Sequence, residues 1–423
     1  MAPLAQQVAA SSPQPSPLLL RPADRTVAER LTATAAYAQD PKAYLRAELG
    51  DELFAEREKL FSLPDVQSLP IGADFYGTGG HKEEFEKRIA KGTLGKEHGL
   101  FFFTGVQAQL VACKMYTTQK KRNIVAWHHQ SHLEAHEESA FTHLWRFERL
   151  LLGKSATAMP TVADVQALVS QSVDQRPAVI VLELPNRELG CPTYSFPDLV
   201  TISKLCKDAD VALHCDGARL WEIEPFYKKN HNASYKEITA LFDSVYVSFY
   251  KGLGGVVGAM LTSNDEAFIA GAKIWQRRSG GNAYTTFQET VDCERGFNLN
   301  IGTFAAKYDK MVAVAAGIEA GIAHLPIVDG HPLVFFEPRV PTCGQAQTFF
   351  CGVDEEQFIA ARDAVQAKLN VRLFNKPRPV TAPVDGRRFM MEWVLVNETM
   401  QIETSLIVDA FVMLAEEIAK SRS

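Results

Sequence analysis

At 423 residues, 46% of them hydrophobic and 22% charged, the chain has the make-up of a folded globular protein of two or three domains, at roughly 150 residues each. Its formal charge of −6 leaves no basic surplus for nucleic acid, and no apolar run reaches the ~18 residues of a membrane span. Seven cysteines (113, 191, 206, 215, 293, 343 and 351) form no C-x-x-C pair, which argues against a thiolate zinc motif or a disulfide framework and for reduced, mostly buried thiols in a cytoplasmic protein.

The first twenty residues, "MAPLAQQVAASSPQPSPLLL", carry no charged side chain and lack the basic start of a secretory signal and the arginines of a transit peptide. A disordered tail over 1–24 is expected, and the two glycosylation sequons at Asn232 and Asn397 are read as chance matches. "VAERLTATAAYA" and "YLRAELGDELFAEREKLF" alternate apolar and charged faces at helical spacing, so 25–73 reads as a helical arm. From residue 74 to 325 short apolar runs ("HGLFFF", "NIVAW", "AVIVLEL", "VALHCD", "SVYVSFY", "GAMLTS") alternate with amphipathic stretches. That rhythm predicts an α/β domain with a parallel sheet covered on both faces. A long helix, "AAKYDKMVAVAAGIEAGIAHL", leads out of it. Residues 326–423 mix strands with two helices, as in a small α+β domain.

Three places carry chemistry. In "FFFTGVQAQLVAC" a strand ends at Thr104-Gly105 and a helix starts near Val106; free N–H groups at a helix start hold an anion, and Thr104 is suited to cap it. In "VALHCDGARL" a strand delivers Asp216 at its carboxyl end, followed by Arg219; open α/β sheets bind ligands at that edge. In "SVYVSFYKGLGGVVGAML" a strand runs into Lys251 among glycines. Val257 breaks the dinucleotide fingerprint, and no Walker G-K-[ST] occurs. A lysine screened by apolar neighbours at a strand end has a depressed pKa and can form an imine. Phosphate anchor, carboxylate and imine lysine together are what pyridoxal phosphate requires. A fourth stretch, "HHQSHLEAHEE" (128–138), holds four of the eleven histidines. Zinc is a weaker reading there, because H-E-x-x-H needs glutamate at 133 and Leu133 occupies it.

The order of "TGVQAQ", "SHLEAHEE", "HCDGAR" and "YKGLGG", with "DFYGTGGHKEEFEKRIAKGTLGKEHGLFFFTG" ahead of them, resembles the threonine aldolase/β-eliminating lyase family of fold-type I pyridoxal-phosphate enzymes. The resemblance implies that family's mostly parallel seven-stranded sheet flanked by helices, with a small C-terminal α+β domain. It matches Lys251 to the Schiff-base lysine, Asp216 to the partner of the pyridine nitrogen, and His132 to the histidine stacked on the ring. It matches Arg219 to an arginine near the cofactor oxygen and substrate carboxylate. Gly105 and Val106 match the phosphate turn; Val106 offers only its backbone N–H, with Thr104 and Gln107 compensating. His136 would line the same helix start beside the substrate.

Two departures stand out. The family's Glu-Asn-Thr-His-Asn becomes "LELPNRELG", so Asn186 or Arg187 stands where a histidine contacts the substrate hydroxyl. Gly-Gly-Gly-Met-Arg becomes "GGNAYTT" (280–286), losing an arginine; Arg277 partly matches a neighbouring cofactor-site position. Arg388 loosely matches a carboxylate-binding arginine of the small domain, with Arg387 and Arg378 as rivals. The implied activity is retro-aldol cleavage of a β-hydroxy amino acid to glycine and an aldehyde, with no metal. Rival readings keep the cofactor but carry out β-elimination, transaldolation or transamination, or keep only the fold as a silent binding protein. The resemblance also implies a homodimer or homotetramer with shared sites, "WQRRSGGN" reaching the neighbour.

Overall fold

A computed structural model describes residues 16–17, 26–63, 72–374, 378–380 and 387–422. The tail expected over 1–24 lies outside these except for Ser16–Pro17, which pairs in parallel with Val371–Arg372. The chain divides into a larger unit, Asp24–Asp309 with Pro341–Gln345, and a smaller one containing Lys310–Val340 and Ala346–Ser423.

The larger unit is built on one sheet. Its strands are β1 (His98–Phe102), β2 (Ile124–His128), β3 (Glu148–Leu152), β4 (Val179–Glu183), β5 (Ala212–Gly217), β6 (Ser244–Ser248) and β7 (Ala259–Ser263). Their order is β1-β7-β6-β5-β4-β2-β3. Only β7 runs against its neighbours; β6-β5-β4-β2-β3 are parallel. Every residue of β5, β6 and β7 is buried, the mark of strands covered on both faces. Side-chain alternation deals Ile180, Leu182, Leu213, Val245 and Val247 into one apolar layer, and Val179, Val181, Ala212, Tyr246 and Leu261 into the other. The seven-stranded, mostly parallel sheet agrees with expectation. Sequence periodicity marks six of its strands; β3 escapes because, as an edge strand, it opens on the exposed Glu148 and Arg149 and its apolar run is only Leu150–Leu152.

The helical arm is α1 (Val27–Gln39), opened by a Thr26–Glu29 capping box, and α2 (Pro41–Arg57). It belongs to the larger unit. Tyr37 is fully buried and accepts from Asn298 Nδ2 at 2.8 Å, while Asn298 Oδ1 accepts from Ser62 N at 2.7 Å. The boundary placed after residue 325 moves to Lys310, inside the helix Phe304–Gly321. That helix continues into the second unit because Met311, Val314, Ala315 and Ile318 fill the smaller core. There a sheet of four strands (Val334–Glu337, Gln345–Cys351, Arg378–Pro379 and Arg387–Val394) is joined by helices Glu355–Leu369 and Thr404–Lys420. None of the seven cysteines is in a disulfide, and all are buried. Among the described residues no helix is long and apolar enough to cross a membrane.

One buried group makes stability depend on pH. His214 on β5 is fully buried; its Nδ1 meets Ser244 Oγ at 2.7 Å, and Nε2 has no partner among the described residues. Burial pulls its imidazole down from the usual value near 6.5 to about 3. The unfolded chain therefore binds the proton first. Stability from this group is complete above pH ~6.5 and is lost as pH falls toward 3, by up to about 1.4 kcal/mol per pH unit. Chemical denaturation at stepped pH should show this loss in the native chain and a shallower one in His214→Gln.

Candidate active site

The site forms where the parallel strands end. In-register pairing sets Glu183, Asp216 and Tyr246 side by side across β4, β5 and β6, on strands about 4.8 Å apart. Asp216 is 1% exposed; its Oδ1 accepts from Ala218 N at 3.1 Å, but Oδ2 has no partner among the described residues. A buried carboxylate with one empty oxygen is costly unless a donor or cation meets it. Glu183 accepts from Arg187 N at 3.2 Å and from Asn186 Nδ2 at 3.3 Å. Burial first, then the charge on Asp216, pushes its carboxyl up to about 8, while Lys251 pulls it down. Two acids thus stand together within the electrostatic reach of a lysine.

Lys251 follows β6 by three residues and is half-buried. The loop beyond it is held by Gly252 N donating to Glu222 Oε1 at 3.2 Å, the oxygen that also pairs with Arg219 Nη1 at 2.8 Å. A Cβ at position 252 would come within 2.7 Å of that oxygen, so a larger residue there would have to displace the Glu222 side chain. Arg219 is largely buried, and its Nε has no partner among the described residues.

The anion-ready turn starts α3 (Gly105–Lys120). Thr104 Oγ1 caps it by accepting from Gln107 N at 3.3 Å. Gly105 is required: a Cβ there would sit 1.9 Å from Tyr246 Oη. Val106 is half-buried. Gln107 Nε2 donates to Ser279 Oγ at 2.9 Å, which ties this turn to the end of the helix Glu266–Arg278. Arg277 is exposed in that helix's last turn. The divergent "GGNAYTT" stretch is locked by Asp74, fully buried, which accepts from Thr286 N at 2.8 Å, Thr285 Oγ1 at 3.0 Å and Thr286 Oγ1 at 3.1 Å.

The histidine stretch splits by role. His128 meets Ser155 O at 3.0 Å and His129 meets Gly153 O at 3.2 Å, both holding loops. His132 and His136 flank the one-turn helix His132–Ala135, with ring centroids 5.1 Å apart. His132 Nε2 lies 2.7 Å from Glu137 Oε1, and His136 Nε2 lies 2.9 Å from Glu188 Oε1. Among the described residues no group of three His, Cys, Asp or Glu could hold a metal.

Asn186 serves the turn after β4. It is 2% exposed; its amide nitrogen reaches Glu183 and Gln130 O, and its Oδ1 caps Leu189 N at 3.1 Å. Arg187 donates to Glu188 Oε1 at 2.6 Å. Arg388 lies exposed on the strand Arg387–Val394 of the smaller unit; its rivals pair with glutamates, Arg387 with Glu337 and Arg378 with Glu392 at 3.8 Å. Sequence reasoning passed over Glu183, Glu188 and Glu222. A charge closing the apolar run "VIVLE" was the available signal for the first.

The chain matches the family described as "Beta-eliminating lyase" over residues 42–286, more than half its length. It is 26% identical over 232 residues to the low specificity L-threonine aldolase of Saccharomyces cerevisiae, covering 53% of this chain and 58% of that one. It spans a little over half the length of the first curated relatives it matches. A Listeria monocytogenes EGD-E structure, provisionally named an L-allo-threonine aldolase, is 30% identical, covers 92% of this chain and 99% of that one, and superposes with TM-score 0.72. Serine palmitoyltransferase of Sphingomonas wittichii, at 14% identity and TM-score 0.59 over 87% of this chain and 83% of its own, shares the fold alone. The fold is that of the fold-type I enzymes, and by its profile match and its full-length structural relative the chain belongs to the β-eliminating lyase family.

Proposed function

We propose that the chain is a pyridoxal-phosphate-dependent lyase that cleaves a β-hydroxy amino acid, in the manner of a threonine aldolase, to glycine and an aldehyde. The observation that carries this is the empty Oδ2 of Asp216, buried at the carboxyl edge of β5, one strand from the loop bearing Lys251. A protonated ring nitrogen is the partner that this oxygen lacks. The chemistry supplied by bound pyridoxal phosphate is an electron sink for the pair left when a bond to Cα breaks.

The chain's own groups would do the rest. Lys251 offers the amine. The start of α3, with Thr104, Gly105, Val106 and Gln107, offers N–H groups to a phosphate, and Arg277 adds positive charge at the adjoining turn. His132 offers a ring face. Arg219, neutralised on one side by Glu222, keeps its Nε for an oxygen of cofactor or substrate. Asp216 offers its unpartnered Oδ2 to the ring cation, with Glu183 beside it on the neighbouring strand.

Borohydride reduction of cofactor-loaded protein should label the peptide containing Lys251, and L-threonine or L-allo-threonine should yield glycine and acetaldehyde in equal amounts. A 2-oxo acid with ammonia in their place would transfer the reading to elimination, and a label on another lysine would overturn it. The seven cysteines, none in a disulfide, support a reducing, cytoplasmic setting. Exposed Phe75, Tyr76 and Tyr284, packed edge to face at 5.7 and 5.2 Å, support a dimer or dimer of dimers, which sedimentation would test.

A further inference from the structure

The loop after β2 and the turn after β4 leave the sheet on neighbouring strands, and β4 adjoins the strand that carries Asp216. Across that junction, 52 residues apart in sequence, His136 Nε2 and Glu188 Oε1 stand 2.9 Å apart. The same Glu188 oxygen also accepts from Arg187 Nη1 at 2.6 Å. His136 is fixed at its backbone, where its N–H donates to His132 O at 3.1 Å. Both side chains stay open to solvent on one side, at 40% and 26% exposure.

An imidazole whose one nitrogen donates to a carboxylate has its tautomer set, with the other nitrogen left as a proton acceptor. Here Nε2–H points at Glu188, so Nδ1 is the basic atom. The carboxylate also stabilises the imidazolium once a proton arrives, and Arg187 keeps Glu188 oriented through the change. His132 has a similar contact with Glu137 within its own loop, but the proposed reading uses its ring face. His136 is the imidazole that the turn after β4 takes hold of, and that turn is the one whose Asn186 is spent on structure.

We propose that His136 and Glu188 form the proton-handling pair of this site, with Arg187 as a positioning residue. This rests on the lyase reading above. As Cα–Cβ breaks, the β-hydroxyl O–H bond breaks with it, and its proton goes to His136 Nδ1. The O–H electron pair becomes the second bond of the aldehyde carbonyl. The Cα–Cβ pair stays with Cα, which takes a proton from solvent to become glycine. The imidazolium then returns its proton to solvent through its exposed edge, so the cycle closes with none gained.

The test compares two reactions of the holoenzyme, threonine cleavage and exchange of a glycine α-proton in deuterated water followed by NMR. Exchange uses the amine and the ring but involves no hydroxyl proton. His136→Asn should lower kcat for threonine cleavage about 10²- to 10³-fold, the scale of a lost general base, with KM changed little. Glycine exchange should fall less than about threefold if this histidine acts only on the hydroxyl. Glu188→Gln should cost kcat in the same direction, and Glu188→Asp should recover part of it. The affinity of apo-protein for pyridoxal phosphate, read by absorbance titration, should be unchanged in all three. Threonine cleavage at the native rate in His136→Asn, or a parallel fall in both reactions, would overturn the pair. Absence of glycine exchange in the native enzyme would instead strike at the lyase reading itself.

Discussion

Lys251→Ala is expected to lower the turnover of L-threonine by at least on the order of 10³-fold, within the range of a single proton-transferring group even before a covalent role is counted. Lys251 is half-buried, and its loop is held through backbone and glycine contacts: Gly252 N on Glu222, Gly254 N on Lys251 O at 2.9 Å, and Gly255 N on Phe249 O at 2.8 Å. None of these needs the ammonium group, so folding stability should move by no more than about 0.5 kcal/mol. Lys251→Arg should lose as much activity as alanine, because a guanidinium keeps the charge but stays protonated. Small primary amines added to the alanine variant should restore part of the rate if an amine is what is missing. Steady-state assays beside thermal melts check this, and an arginine variant with near-native turnover would make Lys251 a mere counter-charge.

Asp216→Ala carries the second large effect, and its two halves have opposite sign. Removing one partner of a buried charge pair costs about 3–5 kcal/mol, so affinity for pyridoxal phosphate should fall about 10²- to 10⁴-fold. Without cofactor the same oxygen is unpartnered and buried. Its removal should therefore leave the apo-protein as stable as the native chain, or more stable. An apo-protein strongly destabilised by Asp216→Ala would mean that the carboxylate serves the fold.

The neighbouring acid adds a pH signature. Burial, and then the charge on Asp216, hold the Glu183 carboxyl up at about 8. Its folded pKa lies above its unfolded one, so its contribution to stability is complete below about pH 4.5 and is lost as pH rises through 8. His214 acts in the opposite sense below pH 6.5, so the Glu183 contribution is read cleanly between pH 6.5 and 8. Over that window Glu183→Gln should flatten the fall in apo-protein stability. In Asp216→Ala the Glu183 carboxyl should move back toward its ordinary range, because one of the two causes of its shift is gone.

These outcomes differ in how far ahead they could be seen. Apolar runs of β-branched and aromatic residues marked strands, and Asp216 at the end of one and Thr104-Gly105 and Lys251 just past two others stood out as candidates because strand ends in an open α/β sheet are where ligands sit. That inference needs only local pattern and chain order. The cap that Asn186 places on Leu189 was not legible in the same way: a loop position says nothing about which backbone group an amide will meet. The boundary expected near 325 fell at Lys310 because a helix's periodicity does not reveal which core each of its halves fills.

By itself, then, the sequence determined the alternation of buried strands and helices, and with it the lysine, aspartate and helix start that one edge of the sheet must present. Hydrophobic burial sets that alternation residue by residue, so it can be read without partners. Tertiary packing alone decided the carboxyl neighbours. Glu183 stands beside Asp216 through strand register, Glu222 reaches both Arg219 and Gly252, and Glu188 grips a histidine 52 positions away. Pairings of this kind depend on which strands lie adjacent and which atoms end within about 3 Å, and hydrogen bonds and desolvation act only at that range.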